Sequence, residues 1–187
     1  MGLGKTVQAI GTAELMRKAG LISSVLILCP ASLKYQWKKE IERFTDSDVV
    51  IVEGPQNKRR EIYKSQASYK IVSYHALSND IKVFGPGCSE CLIMDEVQRL
   101  KNWNSQISRA ARKIQADYAV VLSGTPLENK LDELYSVMEF VDQYCLGPYY
   151  KFMDDATVKD GSGKIVSYRN LNKIGERISK RLLRRRK

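Results

Sequence analysis

Three short segments carry residue types suited to chemistry on a phosphate. The chain opens Met1-Gly2-Leu3-Gly4-Lys5-Thr6 and then enters a helical apolar pattern through Val7, Ile10, Ala13 and Met16. Small glycines let backbone N–H groups turn toward a triphosphate, at a helix N-terminus whose dipole already favours anions. In that geometry Gly2, Leu3 and Gly4 form the cradle, Lys5 reaches the β- and γ-phosphates, and the Thr6 hydroxyl ligates Mg²⁺. The first glycine of the complete pattern falls five residues before Gly4, upstream of Met1. Taken alone, the fragment also reads as a simple glycine turn before a helix.

The second segment, Leu92-Ile93-Met94-Asp95-Glu96, is an apolar strand ending in adjacent carboxylates. In open α/β sheets, ligands sit at the carboxyl ends of strands. Asp95 there suits a Mg²⁺ partner, and Glu96 suits positioning or deprotonating an attacking water. The third segment is Leu122-Ser123-Gly124-Thr125-Pro126-Leu127. Its small hydroxyls are suited to sensing a γ-phosphate through water; a tight Gly-Pro turn is the plain structural alternative.

The elements that must position these segments are legible as strand–helix alternation. Short runs at Val25–Cys29, Val49–Val52, Lys70–Ser73, Cys91–Asp95 and Ala119–Ser123 predict strands. Several are continuously apolar, as expected where both faces of a parallel sheet are covered. Between them run helical stripes: Leu33, Trp37, Ile41 and Phe44; Ile107, Ala110, Ala111 and Ile114; Leu131, Leu134, Tyr135, Met138 and Val141. Core packing explains each stripe, Trp37 included. The pattern argues an α/β doubly wound fold. Residues 143–167 read as a surface loop or insertion, and 168–187 as a basic helix with Leu171, Ile174, Ile178 and Leu182 on one side.

With 187 residues, 43% hydrophobic and 28% charged, the chain has a globular composition and can bury a core without staples. Val25–Cys29, the longest apolar run, is far short of the ~20 residues that span a bilayer, so no membrane partner is expected. The net charge of +10 is concentrated: Lys164–Lys187 holds ten basic residues against one acidic, Glu176. The first 163 residues hold 21 basic and 20 acidic. A basic tail on a nearly neutral body fits a polyanion or a solvated helix face. The four cysteines (Cys29, Cys88, Cys91, Cys145) and the lone His75 lack paired zinc spacing, which favours reduced structural thiols.

The segments MGLGKTVQAI, LILCPASLKYQW, DEVQRLKN and LSGTPLEN, in that order, resemble the first ATPase lobe of the Swi/Snf-type helicase-like ATPases of helicase superfamily 2. The resemblance covers essentially the whole chain. It implies a RecA-like phosphate-loop sheet, mostly parallel with helices on both faces, using ATP and Mg²⁺ to move along double-stranded DNA. It assigns ATP and Mg²⁺ to Gly2, Gly4, Lys5 and Thr6, the acidic motif to Asp95 and Glu96, and coupling of nucleotide state to DNA grip to Ser123, Thr125 and Pro126. Pro30, Ser32, Ser73, Tyr74 and Lys101 become candidates for the DNA-backbone track. Gln98 stands where many helicases carry histidine.

The resemblance also sets expectations about what lies outside the sequence. Family members carry a strand and an Asp-Glu pair before the phosphate loop; that strand would be central in the sheet, so its loss predicts open edges and self-association. A second RecA-like lobe is the expected partner, because in this family it supplies the arginine finger, worth ~10³–10⁵ in rate. These residues alone are therefore expected to bind nucleotide weakly and hydrolyse it poorly. A catalytically inert DNA-binding module and an RNA helicase lobe are the competing readings. An intracellular location is expected, cytoplasm or nucleoid in a bacterium and nucleus in a eukaryote.

Overall fold

The computed structural model describes residues 4–83, 89–100, 105–124 and 131–183. The expected residues Gly2, Leu3, Lys101, Thr125 and Pro126 lie outside them. The chain divides into two compact units, Met1–Gly124 and Thr125–Lys187.

The first unit holds a five-stranded, all-parallel sheet in the order β2-β3-β1-β4-β5. Its strands are β1 (Val25–Cys29), β2 (Val49–Ile51), β3 (Tyr69–Ser73), β4 (Cys91–Met94) and β5 (Tyr118–Val121). All five expected strands form, within one or two residues of the expected ends. The register is set by burial: every residue of β1, β3 and β4 is buried, so each apolar side chain has a core on its own face. β1 is paired on both sides, by β3 and β4. No gap opens inside the described sheet; its edges are β2 and β5.

Helices α1 (Lys5–Lys18) and α2 (Lys34–Phe44) cover one face. Ala9, Ile10, Ala13, Trp37 and Ile41 pack there against Val25, Ile27, Cys29, Ile71 and Ile93. Phe44, expected on the α2 stripe, is 47% exposed and lies under the Arg43 guanidinium instead. The opposite face carries Leu26, Leu28, Val72, Leu92 and Met94, all buried. There α4 (Tyr74–Asp80) packs beside β3 and α5 (Gln106–Ala111). Helix α3 (Gln56–Lys64) has no fully buried residue, and no apolar stripe announces it. It is tied to α4 by Arg59, whose guanidinium pairs with the buried Asp80 carboxylate at 2.5 Å.

The second unit contains α6 (Leu131–Val141), α7 (Tyr149–Ala156), an antiparallel hairpin of β6 (Thr157–Lys159) and β7 (Ile165–Tyr168), and α8 (Leu171–Ile178). The region 143–167, which reads from sequence as a surface loop or insertion, thus carries α7, β6 and the start of β7. Helix α7 starts after Gly147-Pro148 and buries Phe152, Met153 and Ala156 against Leu134, Tyr135 and Met138 of α6. The hairpin turns on Asp160, whose carboxylate accepts from the Ser162 and Lys164 N–H groups at 2.9 and 3.0 Å. The expected long basic helix is shorter than 168–187, spanning Leu171–Ile178; Ile174 is buried, whereas Leu171 is 52% exposed. No described helix is long and apolar enough to cross a membrane.

Candidate nucleotide site

The described chemistry-bearing residues gather at the carboxyl ends of the strands. Gly4 ends the lead-in to α1 with φ +70, a left-handed conformation natural to glycine and costly for a residue with a Cβ. That turn starts α1 directly at Lys5 and Thr6. No acidic residue occupies the first turn of α1, so its N-terminal partial charge is left for an anion. Lys5 is close enough for its ammonium to act electrostatically on Asp95.

Asp95 lies one residue past β4. Its N–H still donates to the Leu28 carbonyl at 2.8 Å, and its own carbonyl accepts from the Tyr74 hydroxyl at 2.7 Å. Its carboxylate accepts from the Trp37 indole N–H at Oδ2 and the Glu96 N–H at Oδ1, both at 2.9 Å. Burial raises the Asp95 pKa above the ordinary carboxylate range, the Trp37 bond opposes that rise, and the Glu96 charge adds to it. The same burial, with the Asp95 charge, pushes the Cys29 thiol up to about 12, and burial pushes Cys91 up to about 11. Both thiols are therefore protonated and inert at neutral pH.

Glu96 has φ +53, unusual for a residue with a long side chain. The turn ends the strand and re-aims the chain, so the Val97 N–H donates to Leu122 O at 3.1 Å. The Glu96 carboxylate accepts from the Gln98 amide, and the Gln98 carbonyl oxygen accepts from Ser123 Oγ at 2.9 Å. A continuous hydrogen-bonded chain thus joins the acidic segment to the LSG segment. Gly124 completes it: a Cβ there would sit 3.4 Å from both Glu96 carboxylate oxygens. The family resemblance assigns coupling to Ser123 and gives Gln98 no role beyond standing where many helicases carry histidine. The spacing of Gln98, two residues after Glu96, is the available signal.

The candidate DNA-track residues divide. Pro30 is buried and leads into a 3₁₀ turn at Ala31–Leu33, while Ser32 is exposed. Ser73 Oγ caps α4 by accepting from the Ala76 N–H at 3.2 Å. Tyr74 is 5% exposed, with its hydroxyl on Asp95. Both therefore have roles inside the fold. Trp37, read from sequence as core, is core and also a partner of Asp95. Nothing in the sequence aims an indole N–H; only the pairing of β1 with β4 brings α2 beside that carboxylate.

The donor set fits a Mg²⁺-nucleotide. Mg²⁺ is ordinarily held by one or two protein oxygens plus phosphates and water, rather than by a carboxylate cage. One buried carboxylate, a hydroxyl residue at a helix start and a nearby lysine match that pattern. No group of three or more His, Cys, Asp or Glu able to hold a metal by itself occurs among the described residues.

The SNF2-related domain family matches residues 1–187. The chain belongs to that family. It is the Swi/Snf-type ATPase lobe of helicase superfamily 2, with the RecA-like parallel sheet that such a lobe requires. The chain is similar to an uncharacterized ATP-dependent helicase of Mycoplasma pneumoniae, 36% identical over 157 residues, covering 82% of this chain and 15% of that protein. It is similar to human chromodomain-helicase-DNA-binding protein 7, 27% identical over 201 residues, covering 99% of this chain and 6% of that protein. Among solved structures, the Sulfolobus solfataricus SWI2/SNF2 ATPase core in complex with dsDNA matches with a TM-score of 0.84 and 27% identity. That match covers 99% of this chain and 38% of the other. The chain thus spans a small part of each of these relatives.

Proposed function

We propose that these residues form the nucleotide-binding half of a motor that hydrolyses ATP to travel along double-stranded DNA. The observation that carries the reading is the convergence at one end of the sheet of Asp95, Glu96, Gln98 and Ser123, linked by hydrogen bonds, with the Lys5 charge acting on Asp95. Lys5 and the first turn of α1 would bind the β- and γ-phosphates, and Thr6 and Asp95 would hold Mg²⁺. A Mg²⁺ held there would supply charge neutralisation for the phosphates. Glu96 orients the attacking water and accepts its proton. Gln98 ties the Glu96 carboxylate to Ser123, so that a change at the γ-phosphate is felt in the LSG segment. Thr125, Pro126 and Lys101 remain, by resemblance, further members of the coupling and DNA-contacting segments, and Gly2 and Leu3 of the cradle.

Exposed Ser32 is the described candidate that best suits contact with a DNA backbone. The Sulfolobus core in complex with dsDNA supports duplex DNA as the track. Family resemblance assigns the arginine finger to a second lobe, so these 187 residues by themselves turn ATP over slowly and do not translocate. Calorimetric titration of Mg²⁺-ADP and Mg²⁺-ATP into this chain, beside Lys5→Ala, tests the reading. Binding in the parent that vanishes in Lys5→Ala is expected; equal binding in both would overturn the site.

A further inference from the structure

We infer that Trp37 is a positioning residue for Asp95, orienting its carboxylate for a cation through the indole N–H. The inference rests on the nucleotide-site reading above. Two described carboxylates are almost completely buried, and they are held in different ways. Asp80 is ion-paired by Arg59 and accepts from Tyr63 as well, so its charge is spent within the fold. Asp95 has no ion pair among the described residues. Its oxygens are instead held by two neutral donors, the Trp37 indole and the Glu96 amide.

That difference matters for a metal site. A guanidinium would compete with a cation for the carboxylate, whereas a neutral N–H fixes its direction and leaves its charge in place. Each carboxylate oxygen has two lone pairs, so one bond on each leaves an acceptor site on both. The indole is a donor with no acceptor, so it cannot bind the cation or carry a proton. Its ring is 1% exposed and packed among Ile10, Ile41 and Ile93, which locks the direction of the N–H. The Asp95 backbone is pinned from two more directions, by Leu28 and Tyr74. The carboxylate is therefore aimed before any cation arrives.

The test is the gain in ATP affinity that Mg²⁺ confers, measured by calorimetry on the full chain with Mg²⁺ and with EDTA. Trp37→Phe, which keeps most of the packing and removes the N–H, should cut that gain about 10–100-fold and leave metal-free affinity unchanged. Asp95→Asn should abolish the gain. If Asp95→Asn leaves the gain intact, the nucleotide-site reading fails and takes this inference with it. If Asp95→Asn abolishes the gain and Trp37→Phe keeps it whole, the positioning role alone is overturned.

A second readout leaves Trp37 in place and covers the case in which Trp37→Phe does not fold. The chain has two tryptophans, so Trp103→Phe leaves Trp37 as the sole tryptophan, whose emission is read apart from the ten tyrosines by excitation at the red edge of the tryptophan band. Adding Mg²⁺ to the ATP-bound protein should shift Trp37 emission, and the shift should be absent when Asp95→Asn is added. Unchanged emission on metal binding would overturn the inference.

Discussion

At the amino end of the central strands, Glu14 is ion-paired within a polar cluster; at the carboxyl end, Asp95 and Glu96 have no ion pair among the described residues. The Glu14 carboxylate accepts from the Tyr69 hydroxyl at 2.7 Å, Ser47 at 3.0 Å and Arg17 at 2.9 Å. Arg17 also reaches Ser68 at 2.7 Å and lies over the Tyr69 ring. Burial alone would raise the Glu14 pKa, but the bonds from Tyr69, Arg17 and Ser47 outweigh it and hold the carboxyl below its usual range. At Asp95 burial wins and the shift is upward. Glu96, next in line, occupies a left-handed backbone conformation. One α-helix connects the two ends, since Lys5 opens α1 and Glu14 lies two turns and more along it. The amino end has charges matched for stability, and the carboxyl end keeps charge and backbone strain that a ligand can use.

The contrast breaks most visibly through Lys5. Lys5→Ala should weaken Mg²⁺-ATP binding about 100-fold, as loss of a charge-assisted contact to phosphate implies, while leaving the unfolding midpoint near the parent value. Glu14→Gln should do the reverse. It should cost about 1–3 kcal/mol in urea unfolding, because Arg17 loses its ion-pair partner and the Tyr69 and Ser47 hydroxyls exchange a charged acceptor for a neutral one, and nucleotide affinity should hold.

The pH dependence sharpens the same point. Because the Glu14 pKa is lowered on folding, its contribution is present above the ordinary carboxylate range and is lost as pH falls through its folded value. Glu14→Gln should therefore flatten the acid limb of stability against pH. Asp95 has the opposite sign: its raised pKa means that the folded state loses relative stability as pH rises through that range.

Glu96→Gly should stabilise the fold by about 1 kcal/mol, by relieving the positive φ, and should abolish hydrolysis. The smallest effect is expected in the second unit. Arg181→Ala removes a half-exposed ion pair to Asp142 at 2.7 Å and should change stability by less than about 1 kcal/mol, and less still at high salt.

Much of this was legible in the sequence for a simple reason. β1, β3 and β4 are buried on both faces, so their apolar runs stand out against polar connections. The acidic and LSG segments directly follow β4 and β5, and strand ends are where a parallel sheet exposes function. Helix α7 and the β6–β7 hairpin were not legible. α7 buries three residues over only two turns, and β6 and β7 are largely exposed, so neither leaves a clear period. Within the site, Lys5, Asp95, Glu96 and Ser123 announce themselves by type and spacing. Trp37 and Tyr74 do not, because their hydrogen bonds cross from α2 and α4 to a carboxylate far along the chain.

The central claim is that the carboxyl end of the sheet binds nucleotide and the amino end does not contribute to it. Urea unfolding of the parent, Glu14→Gln and Lys5→Ala, each with and without Mg²⁺-ATP at a hundred times the parent Kd, tests it most directly. The account predicts a ligand-dependent gain of about 2.7 kcal/mol in the parent and the same gain in the less stable Glu14→Gln, with little or none in Lys5→Ala. An undiminished gain in Lys5→Ala, or none in the parent, would contradict it.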